Sequence, residues 1–386
     1  MRVCIVYDCL FPSTVGGGER WYRNLAERLG AEGHTVTYLT LRQWERGSKP
    51  EIPGVEVIAV GPPMNLYVKG ASGRRRIAEA LVFGAGVLWH LLRHGRRYDV
   101  VHTSSFPYFS LLAIAALRPL GRYGLIVDWF EVWSREYWRE YLGPAGWFGV
   151  VVQHRCARLR QRAFCLSELH AARLRKMGVR GEVVVLRGVY GGALAPQEPV
   201  PAEPRVVFAG RLIPEKNAPN LVPAVAIAAE RVPGLRGVIF GDGPQRTTVL
   251  ARIADLAEPE LVSAPGFVST EEVHEAIRRA CCLVLPSRRE GYGLVVLEAA
   301  AAGTPSVVAR EPDNAAIELI EEGVNGLVAA SARPEDLAEA IVTVARAGMA
   351  LRLSTSQWFA SNAERLSFER SLEVVLASYE PAKVRS

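Results

Sequence analysis

At 386 residues the chain is too long for one compact core and fits two domains of ordinary size. With 49% of residues apolar, each half can bury a core, which excludes a disordered chain outside short linkers and the tail. Residues 1–190 hold 27 Lys and Arg against 15 Asp and Glu, and the remainder 19 against 25, so the first half points to an anionic partner or carries a solvated basic face.

The chain opens with a short apolar run, Val3–Tyr7, consistent with a buried parallel strand. Gly16-Gly17-Gly18-Glu19 follows, and then Trp21, Leu25, Ala26 and Leu29 recur at helical spacing. Gly33 and His34 close that helix and Thr35–Thr40 is a β-branched run, which completes a βαβ unit. Strands are expected at 55–60, 100–101, 125–128 and 183–186, with helices over 74–94 and 111–117 between them. The stretch 191–204 has four prolines, two glycines and little bulky apolar content, as a linker does.

The pattern restarts at Val206–Ala209. Helices are expected at 221–231, 246–256, 270–280 and 294–302, and strands at 237–240, 261–264, 282–285 and 306–309. Gly303 and then Pro305 end the helix at 294–302 as helix ends prefer. The tail, 358–379, reads as one apolar-periodic helix. The expected class is therefore α/β: two Rossmann-like doubly wound domains, 1–190 and 205–357, joined by the linker 191–204 and facing each other across a cleft. Residues 358–386 form a C-terminal helix and tail that return to the first domain.

Six cysteines show no CxxC spacing and no histidine-rich company, so no metal site is expected, and Cys281-Cys282 reads as a pair of buried thiols. The start, Met1–Tyr7, lacks the shape of a signal peptide, and Ile77–Leu92 is shorter than the ~20 residues of a bilayer span. A cytoplasmic protein, peripheral on the inner face of the membrane in one version, is the expectation. That version rests on Arg74-Arg75-Arg76, an apolar helix with Trp89, and Arg93, Arg96 and Arg97, which together can lie on an anionic surface. An aromatic-rich loop (Trp129, Phe130, Trp133, Tyr137, Trp138, Tyr141, Trp147, Phe148) would add contacts to sugars or lipid. The alternative is a core helix with basic ends.

The chemistry concentrates in the second half. Glu290-Gly291-Tyr292-Gly293-Leu294 joins a strand to a helix, whose first N–H groups make an anion site. Gly291 and Gly293 allow a ligand close to the backbone. Glu298 falls one turn into the helix, so one carboxylate can hold sugar hydroxyls and the other ribose hydroxyls. Arg211 and Lys216 follow the first strand of this half and suit a diphosphate.

These residues carry a resemblance. The segments 210–217 (GRLIPEKN), 241–244 (GDGP), 266–268 (GFV) and 286–299 (PSRREGYGLVVLEA), followed by Gly303-Thr304-Pro305, resemble family-4 retaining glycosyltransferases with their E-x7-E motif. The resemblance covers roughly the whole chain and implies the two-domain GT-B fold. It further implies that Gly210, Arg211 and Lys216 hold the donor diphosphate, Glu298 the ribose and Glu290 the transferred sugar. Gly17 would close on the phosphates, the Gly266-Phe267-Val268 backbone would frame the base, and Gly291, Tyr292, Gly293 and Leu294 would complete the donor site. The implied donor is a UDP-, GDP- or other nucleoside-diphosphate sugar, with no metal or other cofactor, and the acceptor a glycan or lipid-linked hydroxyl.

Two positions depart from the pattern. Family members commonly carry a histidine where this chain has Phe130, within Asp128-Trp129-Phe130-Glu131, and phenylalanine cannot donate a hydrogen bond. Asp128, Glu131 or His102 is the expected substitute for its polar role. Arg187 stands where an asparagine is frequent. An epimerase-like nucleotide-sugar enzyme and a catalytically silent sugar-nucleotide binder remain open alternatives. Dinucleotide oxidoreduction lacks its G-x-G-x-x-G fingerprint, and nucleic-acid binding leaves the donor motifs without a purpose.

Overall fold

The computed structural model describes residues 1–14, 16–45, 48–64 and 77–379. The chain divides into two compact units. One holds the described residues up to Leu186 together with those from Ser371 on, and the other holds Arg187–Arg370.

The first unit runs β1 (Arg2–Val6), α1 (Gly17–Ala31), β2 (Thr35–Thr40), β3 (Val55–Ala59), α2 (Ile77–His94), β4 (Val100–Ser104), α3 (Tyr108–Gly121), β5 (Gly124–Trp129), α4 (Arg135–Leu142), α5 (Gly146–Ala157), β6 (Arg162–Cys165), α6 (Glu168–Lys176) and β7 (Val183–Val185). Its seven strands lie in the order β3-β2-β1-β4-β5-β6-β7, all parallel. Strand order reverses between β1 and β4, the point at which ligands of such sheets bind. A parallel sheet covered on both faces needs near-continuous apolar strands, and Val3, Cys4, Ile5, Val100, Val101 and Val127 are fully buried.

The second unit runs β8 (Glu203–Ala209), α7 (Leu221–Ala229), β9 (Arg236–Phe240), α8 (Arg246–Ala254), β10 (Val262–Gly266), α9 (Thr270–Arg279), β11 (Ala280–Leu285), β12 (Arg289–Glu290), α10 (Leu294–Ala301), β13 (Ser306–Ala309), β14 (Asp313–Asn314), β15 (Gly326–Ala329) and α11 (Pro334–Leu366), and α12 (Phe368–Ala377) follows. Its six-stranded parallel sheet has the order β10-β9-β8-β11-β13-β15, so the reversal falls between β8 and β11. Both units are doubly wound, the class the alternating pattern predicts.

The structure amends three expectations. The tail is not one helix: Ser367, at φ −73° and ψ 150°, separates α11 from α12, and α11 itself is kinked at Gly348. From Ser371 on, α12 belongs to the first unit, where Tyr379 is buried. The aromatic-rich stretch is only partly a loop: Trp129 ends β5, Phe130 and Trp133 lie in the connection to α4, and the rest sit on the α4–α5 hairpin. Trp133 packs at 4.7 Å from both Tyr137 and Trp138 and at 5.0 Å from Tyr141, so these rings spend their surface on one another. Trp129 and Trp138 are buried too, which leaves Trp147 and Phe148 exposed. Finally, α2 is not wholly a core helix, and its last turn is basic with Arg93 exposed. Phe83, Gly84, Val87 and Leu91 are buried, while Ile77, Leu81, Leu88, Trp89 and Leu92 form an exposed apolar row on the opposite side. Arg74-Arg75-Arg76 lie outside the described residues.

All six cysteines are free and buried, and burial pushes the Cys156 and Cys165 thiols up to about 12. No described helix is long and apolar enough to cross a membrane.

Candidate active site

In the second unit the ends of three strands meet on glycine. Gly210 N donates to Phe240 O at 3.2 Å and Gly241 N to Gly266 O at 2.8 Å. Gly241 has φ +122°, and a Cβ there would lie 1.9 Å from Gly210 O, so no other residue fits. The result is a ledge of bare backbone at the C-terminal edge of the sheet. Arg246 sits beside it, with its Nε 3.6 Å from where a Gly266 Cβ would stand. The Phe267 side chain is 89% exposed, leaving the Gly266–Val268 backbone as the part that could frame a flat ligand.

The turn after β8 carries the cations. Arg211 is exposed, and Lys216 is half-buried just before Asn217, which adopts the left-handed conformation at φ +53°. Asn217 Nδ2 reaches Pro286 O at 3.3 Å, and Arg288 N donates to Glu215 O at 2.9 Å. These bonds tie the Lys216 turn to the strand-to-helix turn at 286–293. There, Lys216 Nζ forms an ion pair with Glu290 Oε2, and Ser287 Oγ donates to the same oxygen at 3.2 Å. Arg289 adds a contact to Glu215 at 3.6 Å; burial pulls its guanidinium down to about 10, against the opposing pull of Asp313 and Glu290. It remains charged at neutral pH.

Gly293 begins α10 at φ +98°, and a Cβ on it would meet Ala316 Cβ at 2.6 Å. Only glycine satisfies both constraints. Gly293 provides no side-chain cap, so the N–H groups of Leu294 and the next residues carry the positive end of α10. Tyr292 is buried and donates its hydroxyl to Arg187 O at 2.6 Å, fixing the turn from behind. Glu298 is half-buried one turn into α10, near enough to Tyr190 to help burial raise that phenol. This unit therefore brings Gly210, Lys216, Gly291, Gly293 and Glu290 to one set of turns at the strand ends.

The first unit holds the other expected residues. Gly17 opens α1, and nothing stands within 4 Å of where its Cβ would be. Its neighbour Gly18 is closely packed: a Cβ would lie 2.5 Å from the Tyr7 hydroxyl and 3.7 Å from the Phe130 ring. Phe130 is half-buried, edge-on to Tyr22 at 6.1 Å, so the departure from the family pattern lies beside the glycine turn.

Two of the substitutes proposed for its polar role, Asp128 and His102, are closed off from a ligand. Asp128 is 1% exposed and His102 fully buried. Asp128 Oδ2 accepts from Trp21 Nε1 at 2.9 Å, its Oδ1 lies 3.0 Å from His102 Nε2, and His102 Nδ1 meets the Tyr379 hydroxyl at 2.5 Å. A carboxylate and an imidazole closed in by an indole and a phenol are out of reach of a bound substrate. They act instead as a strut between α1 and the residue just past α12. Glu131 is half-buried and accepts from Trp133 Nε1 at 2.8 Å.

Sequence reasoning missed Ser287, Arg246, and the Trp21 and Tyr379 ends of the strut. Ser287 lay within a motif already singled out, three residues before Glu290, and could have been found. Nothing local marks Tyr379, which is 277 residues from its partner.

Two family models match the chain. The glycosyl transferase 4-like domain covers residues 16–188, and the glycosyl transferases group 1 domain covers residues 195–356. A D-inositol 3-phosphate glycosyltransferase from Actinosynnema mirum is 34% identical over 190 residues, 46% of this chain and 44% of that relative, so the match spans less than half of the relative's length. A sucrose-phosphate synthase from Thermosynechococcus elongatus superposes with a TM-score of 0.75 at 18% identity, over 100% of both chains. Anabaena HepE, solved with UDP and glucose, superposes with a TM-score of 0.72 at 17% identity, over 98% of this chain and 99% of that one. At these identities the superpositions establish the GT-B fold. With a 4-like domain on the first sheet and a group 1 domain on the second, the chain belongs to the glycosyltransferases.

Proposed function

We propose that this protein transfers a sugar from a nucleoside-diphosphate sugar to an acceptor hydroxyl, with retention of anomeric configuration. The observation that carries the reading is the convergence of Lys216 and Glu290 at the uncapped start of α10, beside the glycine ledge. Bare backbone admits the nucleotide, Arg211 and Lys216 supply fixed positive charge for the diphosphate, and Glu298 accepts from the ribose hydroxyls. Glu290, already oriented by Ser287, accepts from hydroxyls of the sugar. Gly17, whose missing side chain leaves open space, serves close approach of the donor phosphates.

As the bond from the anomeric carbon to the phosphate oxygen breaks, negative charge grows on that oxygen. Cations and helix N–H groups aimed there stabilise this state more than the ground state. The acceptor oxygen bonds the anomeric carbon on the face the phosphate leaves, and its proton passes to the departing phosphate. The charge is met by protein groups, so the reaction requires no metal. In the free protein Lys216 is spent on Glu290, and the diphosphate takes its place on binding.

The acceptor reading is a glycan or lipid-linked hydroxyl met at an anionic membrane surface on the cytoplasmic side. The exposed apolar row of α2, with Arg93 stacked on Trp89, and the exposed Trp147 and Phe148 favour it. The family match does not favour an epimerase or a silent binder. Acceptor-dependent release of nucleoside diphosphate, with the product anomer read by NMR, tests the reading. Donor consumption that ignores the acceptor would instead indicate an epimerase-like or hydrolytic enzyme.

A further inference from the structure

Asn314 is fully buried behind the turn that carries Glu290. It belongs to β14, which pairs in parallel with β12, so that Glu290 stands opposite Asn314 and Arg289 opposite Asp313. Both donors of its amide and the amide oxygen are engaged by backbone. Asn314 Nδ2 donates to Ala309 O at 2.8 Å and to Ser287 O at 3.1 Å, and its Oδ1 accepts from Ala316 N at 3.1 Å. Two carbonyls on one side and an N–H on the other fix the orientation of the amide.

Each of the three bonds ends on the site or on the frame beneath it. Ala309 closes β13, where Val307, Val308 and Ala309 itself are fully buried within the sheet, so it is a fixed point. Ser287, also fully buried, gives its hydroxyl to Glu290 Oε2 at 3.2 Å. Ala316 is the residue against which Gly293 packs at the start of α10. One amide thus ties the sheet to the carboxylate assigned to the sugar and to the helix end assigned to the phosphates. Aspartate would still accept from Ala316 N, but an ionised carboxylate has no donor for either carbonyl.

We propose that Asn314 is a positioning residue for the donor, acting through Ser287 on Glu290, and that it governs recognition of the sugar rather than of the diphosphate. The proposal rests on the glycosyl-transfer reading above. A carboxylate accepts well from a sugar hydroxyl only at the right distance and alignment, and buried partners of a buried turn set both. The bonds of Asn314 end at Ala309, Ser287 and Ala316 and do not reach the Lys216 turn or the glycine ledge. The diphosphate and the base therefore keep their cradle when the amide is changed. Asn314→Asp retains the bond from Ala316, and with it the start of α10, while Ser287 loses its tie to the sheet.

The test is a calorimetric titration of the full chain with a panel of UDP- and GDP-sugars and with UDP and GDP. In Asn314→Asp, affinity for the nucleotide sugar that the wild type binds is expected to fall roughly tenfold, as for one misaligned hydrogen bond to a charged group, while affinity for the matching nucleoside diphosphate holds. Ser287→Ala removes the hydroxyl at the other end of the link, leaves the amide bonds in place and shifts the ratio of the two affinities in the same sense. It also keeps the test open if Asn314→Asp does not fold. Introduced into Glu290→Ala, neither substitution changes the ratio further, because the carboxylate they orient is gone. An asparagine that only stabilises the fold would move both affinities together or neither, with or without Glu290. An unchanged ratio in a folded Asn314→Asp or in Ser287→Ala overturns the proposal, as does a full drop in the Glu290→Ala background. A wild type that binds no nucleotide sugar refutes the donor reading itself, whereas donor binding with an unchanged ratio refutes only the role of Asn314.

Discussion

Lys216 and Glu290, 74 residues apart in sequence, form an ion pair on a carboxylate oxygen that Ser287 also holds. Two groups assigned to the donor therefore occupy each other in the free protein, and each is held in place for a ligand that replaces the other.

The two halves of this pair should respond differently to removal. Lys216→Ala is expected to weaken donor binding by roughly 10- to 100-fold, since a hydrogen bond to a charged group contributes about 1.5–3 kcal/mol. Glu290→Ala frees Lys216, so binding of the bare nucleoside diphosphate holds or rises while sugar transfer falls. Calorimetry with nucleoside diphosphate and a transfer assay read the two effects. Equal loss of diphosphate affinity in both variants would contradict the exchange.

The glycines divide into those the fold needs and one the ligand needs. Gly241→Ala sets a methyl against Gly210 O and Gly293→Ala sets one against Ala316 at positive φ, so each is expected to cost about 1–3 kcal/mol in urea unfolding. Gly17→Ala meets nothing and begins a helix, so its stability is unchanged or rises by up to about 1 kcal/mol. Its transfer activity nonetheless falls. Full activity in Gly17→Ala would remove that residue from the donor site.

Stability of the first unit should depend on pH through His90. Its burial, and secondarily His94 and Arg97, pull the imidazole down to about 4, and its Nε2 lies 2.7 Å from the Tyr98 hydroxyl. Below the ordinary value of 6.5 the unfolded chain takes up a proton that the folded chain refuses until about 4. The stabilisation is therefore complete above pH 6.5 and drains away as pH falls towards 4, by on the order of 2 kcal/mol. His90→Gln should flatten this part of the stability profile. An unchanged slope in that variant would place the titration elsewhere.

Co-sedimentation with vesicles rich in anionic lipid tests the membrane surface. The wild type is expected to bind at low salt and release as salt rises. Trp89→Glu with Leu92→Glu should abolish binding without altering donor affinity, since both side chains are solvent-exposed. No binding by the wild type at low salt would remove the membrane from the account.

What was legible in the sequence was local. Gly293 and Gly241 announce turns that only glycine can make, and the strands and helices around them follow from apolar period and length. The assignment of Lys216 and Glu290 to one ligand came from the shared order of motifs, whereas their ion pair with each other was not legible in the sequence. What stayed hidden was decided by packing between distant segments. The rings before and along α4 read as an aromatic loop because nothing local shows that Trp133 packs on Tyr137, Trp138 and Tyr141, or that Gly149 of α5 seats against Trp138. Asp128 and His102 look like spare catalytic groups because nothing near them predicts that Trp21 and Tyr379 close them off. The double character of α2 was equally invisible, since an apolar helix gives no sign of which side the core will take.

Calorimetric titration of the protein with a panel of UDP- and GDP-sugars tests the central claim most directly. At least one nucleotide sugar should bind the wild type saturably, and the same ligand should lose most of its affinity for Lys216→Ala and Arg211→Ala with both variants folded. Failure of every nucleotide sugar to bind, or binding that both variants retain in full, would contradict the assignment of the second unit's turns to a sugar-nucleotide donor.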